Sequence, residues 1–171
     1  MLLWLFVISA LRWGTVQATL EIMIEDVECT EVNSEYIKTC EFEVEDDSTY
    51  GASLTSNIET IKHFPETVRV IADIFTVQYG EYSVDMGLHI DTLFCEVMEN
   101  SNSIANFLLT VVNMNDGECP PGPGVYKQEN YVVDNTKGLP SSFPSGYYLM
   151  NMTFLNDDTV FVHFNAYVRV M

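Results

Sequence analysis

Residues 159–171 read TVFVHFNAYVRVM. Val160, Val162, Phe164, Ala166, Val168 and Val170 fall on every second position, and His163, Asn165 and Arg169 stand between them. Successive side chains of a strand point to opposite faces, so this pattern predicts a strand with one apolar and one polar side. Such a strand must bury its apolar side against a second layer, which points to a sheet-on-sheet fold.

Working outward, TLEIMIED (19–26) places Leu20, Ile22 and Ile24 opposite Glu21, Met23 and Glu25. In YIKTCEFEVE (36–45), Cys40, Phe42 and Val44 stand opposite Glu41, Glu43 and Glu45. TVRVIADIFTVQY (67–79) is β-branched and aromatic enough for a long central strand, and its apolar parity switches near Ile74-Phe75, which predicts a bulge. GYYLMNMTFL (146–155) reads as a further strand, and YVVD (131–134) as the point where the sheet resumes after a Pro/Gly block. Between Leu88 and Asn113 the spacing changes: Ile90, Phe94, Val97 and Met98, then Ile104, Phe107, Leu108, Val111 and Val112, recur at helical intervals. The expected fold is mainly β, an antiparallel two-sheet sandwich or cup with a short helical insert.

Residues 1–18, MLLWLFVISALRWGTVQA, combine an apolar run from Leu2 to Leu11 with a Val-x-Ala step, the pattern of a cleaved signal peptide. The run is shorter than the ~20 residues of a transmembrane anchor. Residues 19–171 are then expected to form one secreted domain without a membrane anchor. Seven Lys and Arg against 25 Asp and Glu give a net charge of −18, which repels phosphate backbones and argues against nucleic-acid binding. The plain reading of the acidity is solubility.

Cys29, Cys40, Cys95 and Cys119 all follow the signal and contain no C-x-x-C pair, so two disulfides are expected. Four cysteines allow three connectivities, and their spacing alone does not choose among them. Asn151-Met152-Thr153 is a glycosylation sequon and should point outward, leaving Met150, Met152 and Phe154 inward. His63, His89 and His163 have no Cys or carboxylate at metal-ligand spacing and read as surface or structural residues. FPSGYY (143–148) lacks the strand-turn-helix setting of a nucleophile elbow. Glu41, Glu43 and Glu45 alternate as a solvated strand face does. No catalytic residue, metal or cofactor is expected. Ten Phe and nine Tyr fit a sandwich core equally well as a lined apolar cavity.

The segment ECPPGPGVYKQENYVVDNTKGLPSSFPSGYYLMNMTF (118–154), with VECTEVNSEYIKTCEFEV (27–44) and DTLFCEV (91–97), resembles small secreted insect proteins related to the ganglioside activator. These include the CheA/CheB chemosensory proteins, which share the ML-type lipid-recognition β-cup. The resemblance covers about residues 20–170. It pairs the first two cysteines, and the strand placement then favours Cys29–Cys40 and Cys95–Cys119. It implies a non-enzymatic protein that carries or presents a lipid or pheromone-like molecule, with a membrane receptor as a further candidate partner. The lining expected from strand parity is Phe75, Val77, Met150, Met152, Phe154, Val162 and Phe164. The competing expectation is an extracellular interaction module with a filled core; a hydrolase ranks a distant third.

Overall fold

The computed structural model describes residues 20–47, 51–100, 103–115, 117–133 and 143–171. The expected signal peptide lies outside them. Eight strands and two short helices follow in order: β1 (Ile22–Val32), β2 (Ile37–Asp47), β3 (Gly51–Thr60), β4 (Arg69–Gln78), β5 (Glu81–Leu93), α1 (Phe94–Glu99), α2 (Ile104–Val111), β6 (Gly124–Tyr131), β7 (Gly146–Asn156) and β8 (Thr159–Val170). They build a five-stranded antiparallel sheet, β1-β8-β7-β4-β5, and a three-stranded antiparallel sheet, β2-β3-β6. The two-sheet sandwich with a helical insert is therefore present.

The alternation that predicts β8 puts Val162, Phe164, Ala166, Val168 and Val170 in the core. Val160 departs from it, because the β7–β8 register shifts between Phe154 and Leu155 and Phe161 is buried instead. β7 buries Tyr148, Met150, Met152 and Phe154, and Asn151 points to the opposite face, as expected for the sequon. β4 and β5 are joined at Tyr79-Gly80, where both residues have positive φ (54° and 87°) and match the hairpin twist.

Three elements differ from the sequence-based expectation. β3 and β5 are additional strands. β5 takes in Leu88 and Ile90, which the helical spacing had assigned to the insert, so the first helix starts only at Phe94. β6 begins at Gly124 and ends at Tyr131; Val132 and Val133 lie past its end, and Asp134 lies outside the described residues.

Candidate functional site

The two sheets approach most closely where β1 lies beside β2 and β3. Cys29, in register with Phe164 on β8, and Cys40, in register with Ile58 on β3, form a disulfide across that edge, with Cα atoms 6.3 Å apart. The helical insert packs on the other side of the interior. Phe94 of α1 meets Phe154 of β7 edge-on at 5.2 Å between ring centroids. At the far end of the insert, the Val111 carbonyl accepts a hydrogen bond from Ser56 Oγ on β3 (3.4 Å). The insert thus bridges the inner face of one sheet to that of the other.

α2 contains no charged residue, and Ile104, Ala105, Asn106, Phe107, Leu108, Leu109 and Val111 are all buried. A helix whose only polar side chains are one Asn and one Thr, with neither charged, belongs largely in an interior. Its backbone start is capped by Ser103, whose Oγ accepts from the Asn106 N–H (3.0 Å). The buried Asn106 amide donates to the Val97 carbonyl (3.2 Å), which ties α2 to the end of α1. Cys95–Cys119 (Cα atoms 5.6 Å apart) anchors the insert to the segment leading into β6.

That segment is Pro120–Gly124, the Pro/Gly block. Thr60 at the end of β3 donates from Oγ1 to the Gly122 carbonyl (2.6 Å) and accepts from the Gly124 N–H (3.0 Å). The Tyr126 hydroxyl donates to the same Gly122 carbonyl (3.0 Å), and burial raises its pKa from the ordinary phenol range. A Cβ on Gly122 would stand 2.8 Å from His63 Cε1, so the chain passes closer to that imidazole than a side chain allows. The block secures a tight crossing from the insert to the small sheet.

Of the expected lining residues, Met150, Met152, Phe154, Val162 and Phe164 face the interior, each at most 2 % exposed. A file of rings crosses there from Phe94 through Phe154 and Phe164 to Phe42 of β2, with neighbouring centroids 5.2, 5.5 and 6.2 Å apart. Phe75 and Val77 do not join them. Ile74 is buried in their place, Phe75 is half-buried, and Val77 is 38 % exposed on the outer face. The cause lies in β5. β4 stays in unbroken register with β7 from Arg69 to Thr76, while Asp73–Phe75 on β4 face His89–Asp85 on β5. The bulge is thus carried by the edge strand, and the parity of β4 does not switch.

The outer face of the large sheet is organised in transverse rows. Glu28, Asn165, Asn151, Asp73 and His89 form one row across all five strands. Asn165 Nδ2 donates to Glu28 Oε1 (3.4 Å), Asn151 Nδ2 donates to Asn165 Oδ1 (3.1 Å), and His89 Nδ1 lies 2.6 Å from Asp73 Oδ1. The hydrogen bond and charge of Asp73 raise the His89 pKa above its ordinary value. The next row is Asp26, Tyr167, Leu149, Phe75 and Asp85, apolar in the middle and acidic at both edges. Tyr82 lies tilted against Tyr167, with ring centroids 5.4 Å apart, and the Arg169 guanidinium lies 5.4 Å from the Tyr147 ring centre. Tyr167 donates to Glu28 Oε1 (2.9 Å), a bond that raises the phenol pKa.

An open concavity of about 540 Å³ lies on the small sheet, lined by Glu41, Phe42, Glu43, Thr55, Asn57 and Lys127. Glu41, Asn57 and Lys127 are register neighbours across the three strands. His63 is exposed and His163 half-buried on the polar side of β8. Among the described residues, no three His, Cys, Asp or Glu side chains gather into a metal-binding group, and no helix is long and apolar enough to cross a membrane.

A family model described as a protein of unknown function (DUF1091) matches residues 80–150. The matched stretch runs from the β4–β5 hairpin through both helices and the Pro/Gly block into β7, and so contains the insert with its disulfide. No curated protein matches the chain.

Proposed function

We propose that the protein is secreted, receives an apolar ligand such as a lipid or pheromone-like molecule between its sheets, and carries or presents it without transforming it. The observation that carries this reading is the plug-like insert. An uncharged helix, buried at every residue but Thr110, packs between the inner faces of the two sheets at the edge away from their Cys29–Cys40 junction. The surfaces that hold α2 are of the kind that would hold an alkyl chain, so ligand and helix compete for one volume. Met150 and Met152 supply unbranched, adaptable side chains to that interior. The resemblance to lipid-recognition β-cups and the two disulfides support a secreted carrier, and a role in chemosensation follows the insect proteins it resembles.

Burying about ten ligand methylenes contributes roughly 8 kcal/mol gross. Association and ordering costs, displacement of α2 among them, bring the expected affinity to the micromolar range. The test is titration with a fluorescent fatty acid. Leu109→Ala, which loosens α2, should increase uptake; Met152→Lys should abolish it in a variant shown to be folded; and Glu43→Gln should leave it unchanged. A folded protein that takes up no probe in either the native or the Leu109→Ala form overturns the reading. The interaction-module alternative, favoured by the close packing of Met150, Met152 and Phe154, would then replace it.

A further inference from the structure

The outer face of the large sheet has an apolar centre that the carrier reading does not use. Phe75, Leu149 and Tyr167 stand side by side on adjacent strands, with Tyr82 against Tyr167 and the 44 % exposed Tyr147 beyond. Phe75, Leu149 and Tyr167 are half-buried and Tyr147 is exposed, so part of this apolar face is open to a covering group. Two residues along β7 from Leu149, on the same face and about 7 Å away, is Asn151, the acceptor of the sequon. Its Nδ2 carries two hydrogens. One is donated to Asn165 Oδ1 (3.1 Å), and the other takes no hydrogen bond among the described residues.

We infer that Asn151 is N-glycosylated and that its first N-acetylglucosamine lies over the neighbouring row Phe75–Leu149–Tyr167, making the glycan an intramolecular cover for this face. The transfer uses a polyprenyl-diphosphate-linked oligosaccharide. The anomeric C1–O bond breaks, the diphosphate leaves with the electron pair, C1 bonds to Asn151 Nδ2, and one Nδ2 proton goes to a base. The remaining Nδ2 proton keeps the bond to Asn165, so the polar row survives the modification intact. Transfer takes place on the unfolded chain, before β7 is enclosed by β8 and β4, so its central place in the sheet is no obstacle.

Charge separates a sugar from other occupants. Asp26 and Asp85 close the two ends of the apolar row, and Glu25 and Glu28 lie nearby on β1. A second copy of a chain with net charge −18 would set these carboxylates against its own. A neutral sugar meets no such repulsion, and its C–H-bearing face suits an aromatic ring. Tethering at Asn151 also holds it at high effective concentration over the row. This inference rests on the proposed secretion of the chain and is independent of what binds between the sheets.

The experiment uses full-length protein secreted from eukaryotic cells, analysed as made, after trimming to a single N-acetylglucosamine, and as Thr153→Val, which removes the sequon without adding charge. Glycopeptide mapping should find Asn151 occupied. The N-acetyl and ring protons of the single sugar should be shifted upfield by the neighbouring rings, and Phe75→Thr should return them toward their free positions. The single-sugar form should melt with the intact glycoprotein, whereas Thr153→Val should melt about 2–4 °C lower, the size of a ~1 kcal/mol loss in a domain of this length. An unmodified Asn151 overturns the inference. Sugar resonances at free-glycopeptide positions overturn it equally, whatever the melting temperatures.

Discussion

β7 has a hydrogen-bonded neighbour on each side, β8 from Gly146 to Asn156 and β4 from Tyr148 to Leu155. The insert from Phe94 to Val111 belongs to neither ladder and is held by side-chain burial, the Phe94 N–H to Val68 carbonyl bond (2.9 Å), the Asn106 and Ser56 hydrogen bonds and one disulfide. Both regions bury large apolar side chains. They differ in how much else must break before those side chains move. Displacing β7 severs two ladders, whereas displacing α2 leaves its internal hydrogen bonds whole. Interior apolar surface and resistance to movement are therefore separate properties here, and the insert combines the first with little of the second.

The largest test of that contrast is Phe154→Ala. Phe154 is fully buried and touches Phe94, Phe64 and Phe164, so its truncation should cost about 3–5 kcal/mol, read as a lower denaturation midpoint. If stability were unchanged, β7 would not be the fixed element. Next, replacing Cys95 and Cys119 with Ser removes a cross-link spanning 24 residues, worth about 3 kcal/mol in the chain-entropy model. Amide exchange should rise first in α1 and α2 while β7 and β8 remain protected. Equal acceleration in both regions would break the comparison. Ser103→Ala, which deletes the α2 cap, should cost about 1 kcal/mol and appear in α2 exchange before it appears in β7.

The smallest effect is the titration of His89 on the edge strand. Its folded-state pKa is raised by Asp73, so the pair stabilises the fold fully below the unfolded value of about 6.5. That contribution is lost as pH rises through the raised folded value. Denaturation midpoints of wild type and His89→Asn should therefore converge with rising pH across that window. The mutation leaves the insert untouched, so α2 exchange should not follow the change.

The strands that sequence alone made legible are those whose inward positions are all apolar: β8 and β7, with most of β1, β2 and β4. β3 was hidden because its inward face carries Ser56 and Thr60 beside Leu54 and Ile58, and Ser56 and Thr60 are buried only because each finds a backbone partner elsewhere in the chain. β5 was hidden by a coincidence of periods. Ile90 and Phe94 are four apart, a spacing shared by one strand face and one helix face, and the change from strand to helix falls between them. At the site, alternation on β7 and β8 picked out side chains that do face the interior. Phe75 and Val77 were misassigned because a bulge needs two strands to be seen, and its partner strand was the one not recognised. The outer rows had no sequence signal beyond the sequon, since they exist only through the register of five strands.

The Cys29–Cys40 link gives the two sheets a mechanical relation as well as a covalent one. It pins β1 to β2, and β5 stands four strand spacings from that pin, about 19 Å. A relative rotation of ~10° about the pinned edge would separate the opposite margins, which only the insert bridges, by ~3 Å while barely disturbing Cys29 or Cys40. Such leverage concentrates any gain in width beside β4 and β5, where Phe94 sits, and leaves the pinned end narrow. On the proposed carrier reading, a guest would be gripped most firmly near Phe42 and Phe164 and accommodated by angle at the other end, so the interior would gauge the thickness of a guest's tip more strictly than that of its trailing part.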